Sequence, residues 1–530
     1  MHVPAKSASV IGDGLPSSSN DCRRWFASAI VLAVVLAIPF FLVDVPPVLD
    51  YPNHLARYFV LAHPDDAILS KMYAPHWTIL PNLGMDAIAV ALLRMTDVHV
   101  GGRVLLALSV FAPVVGAVVY CRVVFGRYSL WSLASGLAAY NGAFFLGFMN
   151  FLLSIGLALI GGAAWIAVGR RKRVLGKIAV GAFAAALIFF CHIFGVLLFA
   201  LLIGGDEVDR LWELRSSGAL LPRHVVRSIG ILVAAISPAA VLYLLSPLAE
   251  QTAVGGQWRG FDKFWMAFAP FMIPNAALTL ITGAAVVLLL ILLLIRRGVQ
   301  LAPGMPLVFA LLVFGFVVAP STVKGGTVVD LRFALMIGLL LFAGVQPRLS
   351  LPAILVVAVS ALIVVRSGYI GMMWFNHRHD LADVRAALTM VEPGARVMVA
   401  RGKPGYLTDV QPPERALPGL YRLDGHIAAL LVIERRAFWP LLFADPSQQP
   451  LIVKPPFAQI AQPLSEPVEW PLLAEASLSA ETLRSVRYLS DWRANFDDVL
   501  LIDPATSEHT PHGLSPIYLG PYAQLFRIDR

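Results

Sequence analysis

The stretch Val48-Leu49-Asp50-Tyr51-Pro52-Asn53-His54-Leu55-Ala56-Arg57-Tyr58-Phe59 follows the first long apolar run of the chain. It sets an aspartate, an asparagine, a histidine and an arginine around one proline, directly beside a segment suited to lipid. Pro52 fits the first turn of a helix, where its missing N–H costs nothing. A helix from Pro52 puts His54, Arg57 and Tyr58 on one face. Asp50 then stands just ahead of the positive end, where the helix dipole favours an ionised carboxylate. A plain loop cap would account for one aspartate, with His54 sitting at the interface. The density of polar groups argues for a site.

The surroundings of this stretch decide the fold class. The chain has 530 residues, 58% hydrophobic and 14% charged, where a soluble domain carries about a quarter charged residues. Apolar runs of spanning length recur from Phe26 to Trp374, which defines a polytopic membrane protein. The net charge of +8 is uneven: residues 377–530 carry −3 and the preceding part +11. Basic excess confined to a membrane region sets orientation, and no nucleic-acid partner is needed to explain it. The three cysteines, Cys22, Cys121 and Cys191, form no CxxC and no disulfide framework. The run 26–43 is long for a signal peptide and has no small-residue cleavage site after it, so it is expected to stay as the first span.

Lys/Arg bias orients the spans. Residues 1–25 form a cytoplasmic tail, and residues 44–103 a long outside loop. Arg170-Arg171-Lys172-Arg173 is the strongest inside marker. The run 176–203 is read as two short segments meeting near Cys191-His192, because this keeps both 204–227 and Arg296-Arg297 inside. The further spans fall at 104–121, 129–148, 151–169, 228–247, 278–295, 304–320, 329–346 and 351–374. The expectation is an all-α polytopic membrane domain over 26–376 with about 11 transmembrane helices, followed by an extracytoplasmic α/β domain over 377–530. In the latter, Val397 to Ala400, Val499 to Ile502 and Gln524 to Ile528 have strand character, and Asp380 to Val391 is helical.

On this topology the polar residues of the membrane region gather at the outer face. They are Asp50, His54 and Arg57 in the first loop, Asn150, His192, and Lys324, Asp330 and Arg332 in the last. Near-membrane ionisable groups are costly and default to function. Asp50 could accept a proton from a substrate hydroxyl. Asn150 is either a hairpin turn residue or a donor to a bound headgroup. His192 is either structural or a phosphate contact. Lys324 and Arg332 suit an anionic headgroup, with Asp330–Arg332 as an internal pair in the bland alternative. Trp258-Arg259 and Asp262-Lys263 form a weaker patch. Asp44 and Asp50, six residues apart, are a slender basis for a divalent metal, and no GxGxxG, Walker lysine motif, HExxH or nucleophile elbow is present.

A long first outside loop with an acidic residue just after span one resembles the GT-C class of multi-pass membrane glycosyltransferases, in particular the bacterial enzymes that use polyprenyl-phosphate sugars. The resemblance rests on Val48-Leu-Asp50-Tyr-Pro-Asn-His54, on Asp330-Leu-Arg332-Phe333, and on the order of spans, loop and C-terminal domain. Many such enzymes have two adjacent acids in this loop, whereas here Tyr51 follows Asp50. The resemblance implies an inner-membrane enzyme with a cytoplasmic N-terminus and a periplasmic C-terminal domain. It implies Asp50 as general base, inversion at the anomeric carbon, cations at Lys324 and Arg332 for the leaving lipid phosphate, and membrane lipids and a polyprenyl-phosphate-linked sugar donor as partners. A transporter or flippase of a lipid-linked substrate, or a non-catalytic envelope assembly protein, are the competing readings. Transporters tend to place their sites at the midplane on broken helices, often with internal repeats; here no clear repeat is evident and the polar groups gather at one face.

Overall fold

The computed structural model of the protein describes residues 19–250, 256, 258, 260–323, 326–348, 352–402, 410, 412–463, 465–475, 478–505 and 510–530. Among them, seven helices are long and apolar enough to cross a membrane: Cys22–Phe41, Val98–Phe125, Met149–Arg170, Val174–Cys191, Pro222–Leu244, Ala276–Ile295 and Ala353–Thr389. The other expected segments take other forms. Ile193–Ser216 is a helix whose second half is charged, and Met305–Val318 and Val329–Ala343 are shorter helices. The break near Cys191-His192 is real. One helix ends at Cys191, the next starts at Ile193, and His192 between them is extended.

The segment 129–148 departs from expectation. It is not one span but Leu130–Leu133, a 3-10 turn Ala134–Ala138 and the short helix Gly142–Leu146. Residues 131–147 are all buried, so protein rather than lipid must satisfy the irregular backbone. Arg366, buried in the helix Ala353–Thr389, does part of this. It donates to the carbonyls of Tyr140 (3.0 Å) and Phe271 (2.9 Å) and to Thr282 Oγ1 (3.0 Å). Asn141 caps the last piece through Phe144 N–H at 3.0 Å. The neighbouring pair Val98–Phe125 and Met149–Arg170 meet at glycine: a Cβ on Gly156 would overlap the Ala112 carbonyl, and one on Gly116 would lie 2.7 Å from Gly156 O. Such close backbone approach is how helices associate where no hydrophobic gain separates them from lipid.

The C-terminal part carries a five-stranded mixed sheet. Val397–Arg401 runs parallel to Val468–Glu469 on one side and to Asp498–Ile502 on the other. Ala523–Ile528 and Leu514–Leu519 extend it antiparallel. All three expected strands are present. The last span and the helical stretch expected after it are one continuous 37-residue helix, Ala353–Thr389, because no proline or glycine pair interrupts residues 372–389. The sheet is fastened to that helix: Asp383 accepts from Tyr522 N–H and Ala523 N–H at 2.7 Å each and from Tyr518 Oη–H at 2.6 Å.

The long loop after the first span joins the two parts. Its helix Tyr51–Ala62 is almost wholly buried. Asn53 uses both ends of its amide on the C-terminal part, donating to Leu441 O (3.0 Å) and accepting from Phe443 N–H (2.8 Å). Further along, Tyr73–Pro75 pairs antiparallel with Leu451–Val453.

Arg366→Met leaves two buried carbonyls and a hydroxyl without this donor. An unfolding free energy lower by about 2–3 kcal/mol is expected, read as a lower melting temperature of the detergent-solubilised protein. An unchanged melting temperature would show that the broken segment does not depend on Arg366.

Candidate active site

A cavity of about 800 Å³ lies where the membrane helices, the loop after the first span and the C-terminal part meet. Six of the sequence candidates line it: Asp50, His54, Arg57, Asn150, His192 and Arg332. They come from four segments of the chain: Asp50, His54 and Arg57 from the stretch that opens Tyr51–Ala62, and Asn150, His192 and Arg332 from one each.

Asp50 is the N-cap residue of Tyr51–Ala62, yet its carboxylate makes no capping hydrogen bond. Its position is set through the backbone. Leu49 N–H and Asp50 N–H donate to Phe145 O (2.9 Å) and Leu146 O (3.3 Å) of the broken segment. Gly147, at φ +86°, packs so closely that a Cβ there would lie 2.7 Å from Asp50 Cβ. The carboxylate therefore stands free of the helix end, 18% exposed, with His426 Nδ1 at 3.2 Å from Oδ1. His54 stacks on Tyr58 and meets Phe443 edge-on. Burial first, then the Arg57 charge, hold its imidazole well below the usual range, so it is neutral at pH 7.

Arg57 forms a two-pronged ion pair with Asp86, Nε to Oδ1 at 2.7 Å and Nη2 to Oδ2 at 3.1 Å. Both partners are buried. Asp86 was not among the sequence candidates. A lone acid in the apolar run Met85-Asp-Ala-Ile-Ala-Val was the signal, since such an acid requires a partner.

On the membrane side, Arg332 lies among Phe148, Phe151 and Phe194, with ring centroids 4.6, 5.9 and 5.5 Å from its Cζ. It donates through Nη1 to Thr327 O at 2.6 Å. His192 Nδ1 accepts the Phe194 N–H at 3.1 Å. This caps the helix Ile193–Ser216 and fixes the neutral tautomer with its proton on Nε2. Asn150 is largely committed: Oδ1 accepts from Met85 N–H (2.8 Å) and Nδ2 donates to Asn82 O (2.7 Å). It ties the loop after the first span to the helix Met149–Arg170. Asp330 is fully buried behind Arg332 and does not line the cavity. Lys324 and Arg259 lie outside the described residues.

The far wall comes from the C-terminal part, which the sequence had not connected to the site. Arg401 ends one parallel strand, and Arg422, Gly425 and His426 follow in a loop. Arg422 bridges Asp424 (2.9 and 2.6 Å) and Asp503 (2.7 Å), and Tyr522 Oη–H donates to Asp424 at 3.0 Å. Burial alone would raise the Asp424 carboxyl. Arg422, through hydrogen bond and charge, then Arg401 and Tyr522, bring it down to about 2. The signal in the sequence was Arg422-Leu-Asp424-Gly-His426, four polar or flexible residues in an otherwise apolar stretch.

Asp44, the other carboxylate considered for a metal, pairs with Arg385 at 3.1 Å and lies 3.9 Å from Arg103. Among the described residues, no group of three or more His, Cys, Asp or Glu side chains comes together as a metal site.

Fold and cavity define a polytopic membrane protein whose extramembrane α/β part closes one large polar-and-aromatic chamber. Among solved structures the chain is similar to ArnT from Cupriavidus metallidurans in the apo state, at 13% identity and a TM-score of 0.47, covering 96% of this chain and 98% of that one. No family model matches the sequence, and no curated protein does.

The Asp424 carboxyl sits below the ordinary value of 3.8. Its contribution, about 2 kcal/mol, is therefore full above about pH 4 and lost as pH falls through about 2. Asp424→Asn is expected to be less stable at pH 7 by at least this amount. The gap from wild type should hold constant down to about pH 4 and narrow below it in urea titrations. A gap that does not vary with pH would remove the ionised Asp424 from the account.

Proposed function

We propose that the chamber is the active site of a membrane glycosyltransferase of the GT-C type, acting at the outer face of the membrane. The donor is a sugar on a polyprenyl phosphate, entering sideways from the lipid. The acceptor is an envelope glycan, lipid or protein. In this reading the N-terminus is cytoplasmic and residues 377–530 are extracytoplasmic, in a bacterial inner membrane.

One observation carries the reading. The chamber has an aromatic wall holding Arg332 on the membrane side and a polar wall on the C-terminal side, and Asp50 stands on the loop helix that joins them. An apolar chain with an anionic head fits the first wall, and a hydroxylated acceptor fits the second. Asp50 accepts the proton of the acceptor hydroxyl. The hydroxyl oxygen attacks the anomeric carbon from the face opposite the phosphate. The bond from that carbon to the phosphate oxygen breaks, and the lipid phosphate leaves with the electron pair. Arg332 stabilises the developing charge in a site screened from water, with Lys324 as a second cation and His192 Nε2–H as a neutral donor. His54 and Arg57 line the acceptor path, and Asn150 holds the loop against the membrane helices.

The test is deletion of the gene in its host and complementation with wild type or Asp50→Asn at equal membrane levels. Envelope glycans and glycolipids are then compared by mass spectrometry. The expected result is a sugar lost in the deletion, restored by wild type and reduced about a hundredfold or more with Asp50→Asn. Full restoration by Asp50→Asn would make Asp50 a loop residue only and move the reading to transport or assembly.

A further inference from the structure

The arginines around the chamber are not equally neutralised. Arg57 has Asp86. Arg415 is shared by Asp380 (2.7 Å) and Asp503 (3.2 Å), and Arg422 by Asp424 and Asp503. Among the described residues Arg401, beside them, has one ion pair, to Glu466 at 3.9 Å and 65% exposed, and its charge otherwise acts at longer range on Asp424, which Arg422 already holds. A carboxylate that far away and that wet screens little. The Arg401 side chain is itself only 10% exposed, and among the described residues its guanidinium makes no hydrogen bond. Next to it, Arg422 is 2% exposed, and its Nη1 is buried with no hydrogen-bond partner. Both residues line the chamber. A desolvated guanidinium with unused donors is costly unless a ligand completes it.

Their place in the sheet fits this. Val397–Arg401 and Asp498–Ile502 are parallel neighbours. Arg401 closes the first, and Asp503, which holds Arg422, follows the second. Ligands of open parallel sheets bind at the carboxyl ends of the strands, and here those ends meet the chamber wall opposite Arg332.

We propose that Arg401 and Arg422 form an oxyanion-binding subsite for the second substrate, an acceptor that carries a phosphate or a comparable oxyanion. The anion takes the open Arg401 fork and the spare Arg422 donor, displacing Glu466. Guanidinium groups suit this because their planar donors match phosphate oxygens in pairs. The assignment to an acceptor rests on the glycosyltransferase reading. The anion site itself does not, because phosphate binding requires neither a donor sugar nor Asp50.

The probe is inorganic phosphate, titrated against sodium chloride at matched ionic strength, with the melting temperature of the full chain in phosphatidylcholine nanodiscs as readout. Arg332→Gln serves as the background, so that the membrane-side cation does not contribute. A saturable rise in melting temperature is expected. Adding Arg401→Gln should weaken the apparent affinity about tenfold to a hundredfold, with a cooperative melting transition retained in chloride. No saturable rise in the Arg332→Gln protein, or a rise indifferent to Arg401→Gln, would overturn the proposal. If Arg401→Gln does not fold, Glu466→Gln replaces it. Removing the competing carboxylate should tighten phosphate about twofold to threefold, and no tightening also overturns the site. Repeating the titration in phosphatidylglycerol nanodiscs separates the sources. Competition by the lipid assigns the anion to a lipid headgroup, and its absence assigns it to an acceptor outside the bilayer. Failure of sugar transfer with intact phosphate binding would overturn the function and leave the subsite.

Discussion

Irregular backbone cannot face lipid, and this constraint organises the molecule. Residues 131–147 abandon a single helix in the middle of a membrane domain, which is tolerable only because protein surrounds them and supplies partners. Arg366 supplies some from one side. Leu49 and Asp50 supply others from the loop after the first span, by donating to Phe145 and Leu146. The same bonds that satisfy the broken segment therefore set where the Asp50 carboxylate stands. Gly147 completes the arrangement, since its positive φ and missing Cβ let the loop come that close.

From that anchor the chamber divides by dielectric environment. Toward the membrane, cationic charge is held by aromatic faces and backbone, as at Arg332. Toward the C-terminal part it is held by carboxylates, as at Arg415 and Arg422. An arginine among rings keeps its charge available to an incoming anion, whereas one between two aspartates is largely neutralised. Arg401 belongs with neither group.

The sequence made the membrane architecture legible because apolar length and Lys/Arg bias are local signals. The break at His192 was readable for the same reason, as two charge violations were removed by one change. The strands around Val397, Val499 and Gln524 were visible as short apolar runs between turn residues. The broken segment was not visible. Its composition is that of a span, and only its burial on all sides permits the departure. The site was half legible. Asp50, His54 and Arg332 stood out as polar residues beside apolar runs. Arg401 and His426 did not, because their place at the chamber depends on the C-terminal part folding back across more than three hundred residues onto the first loop. Asn150 was legible as a polar interruption but not as a tie to Met85 and Asn82, which requires knowing where the loop returns.

The helix Ala353–Thr389 leaves the membrane and reaches the sheet without interruption. At 37 residues it is about 55 Å long, so the sheet is mounted on a stiff post rather than a tether. Each residue of such a post advances its load by about 1.5 Å and turns it by about 100°. Its length is thus quantised. One added residue would swing Asp383, and the hairpin it holds, to another side of the chamber, whereas seven, close to two full turns, would return the bearing and raise the roof by about 10 Å. The spacing between membrane and sheet set by this helix can therefore change only in steps near whole turns if the sheet is to keep its bearing.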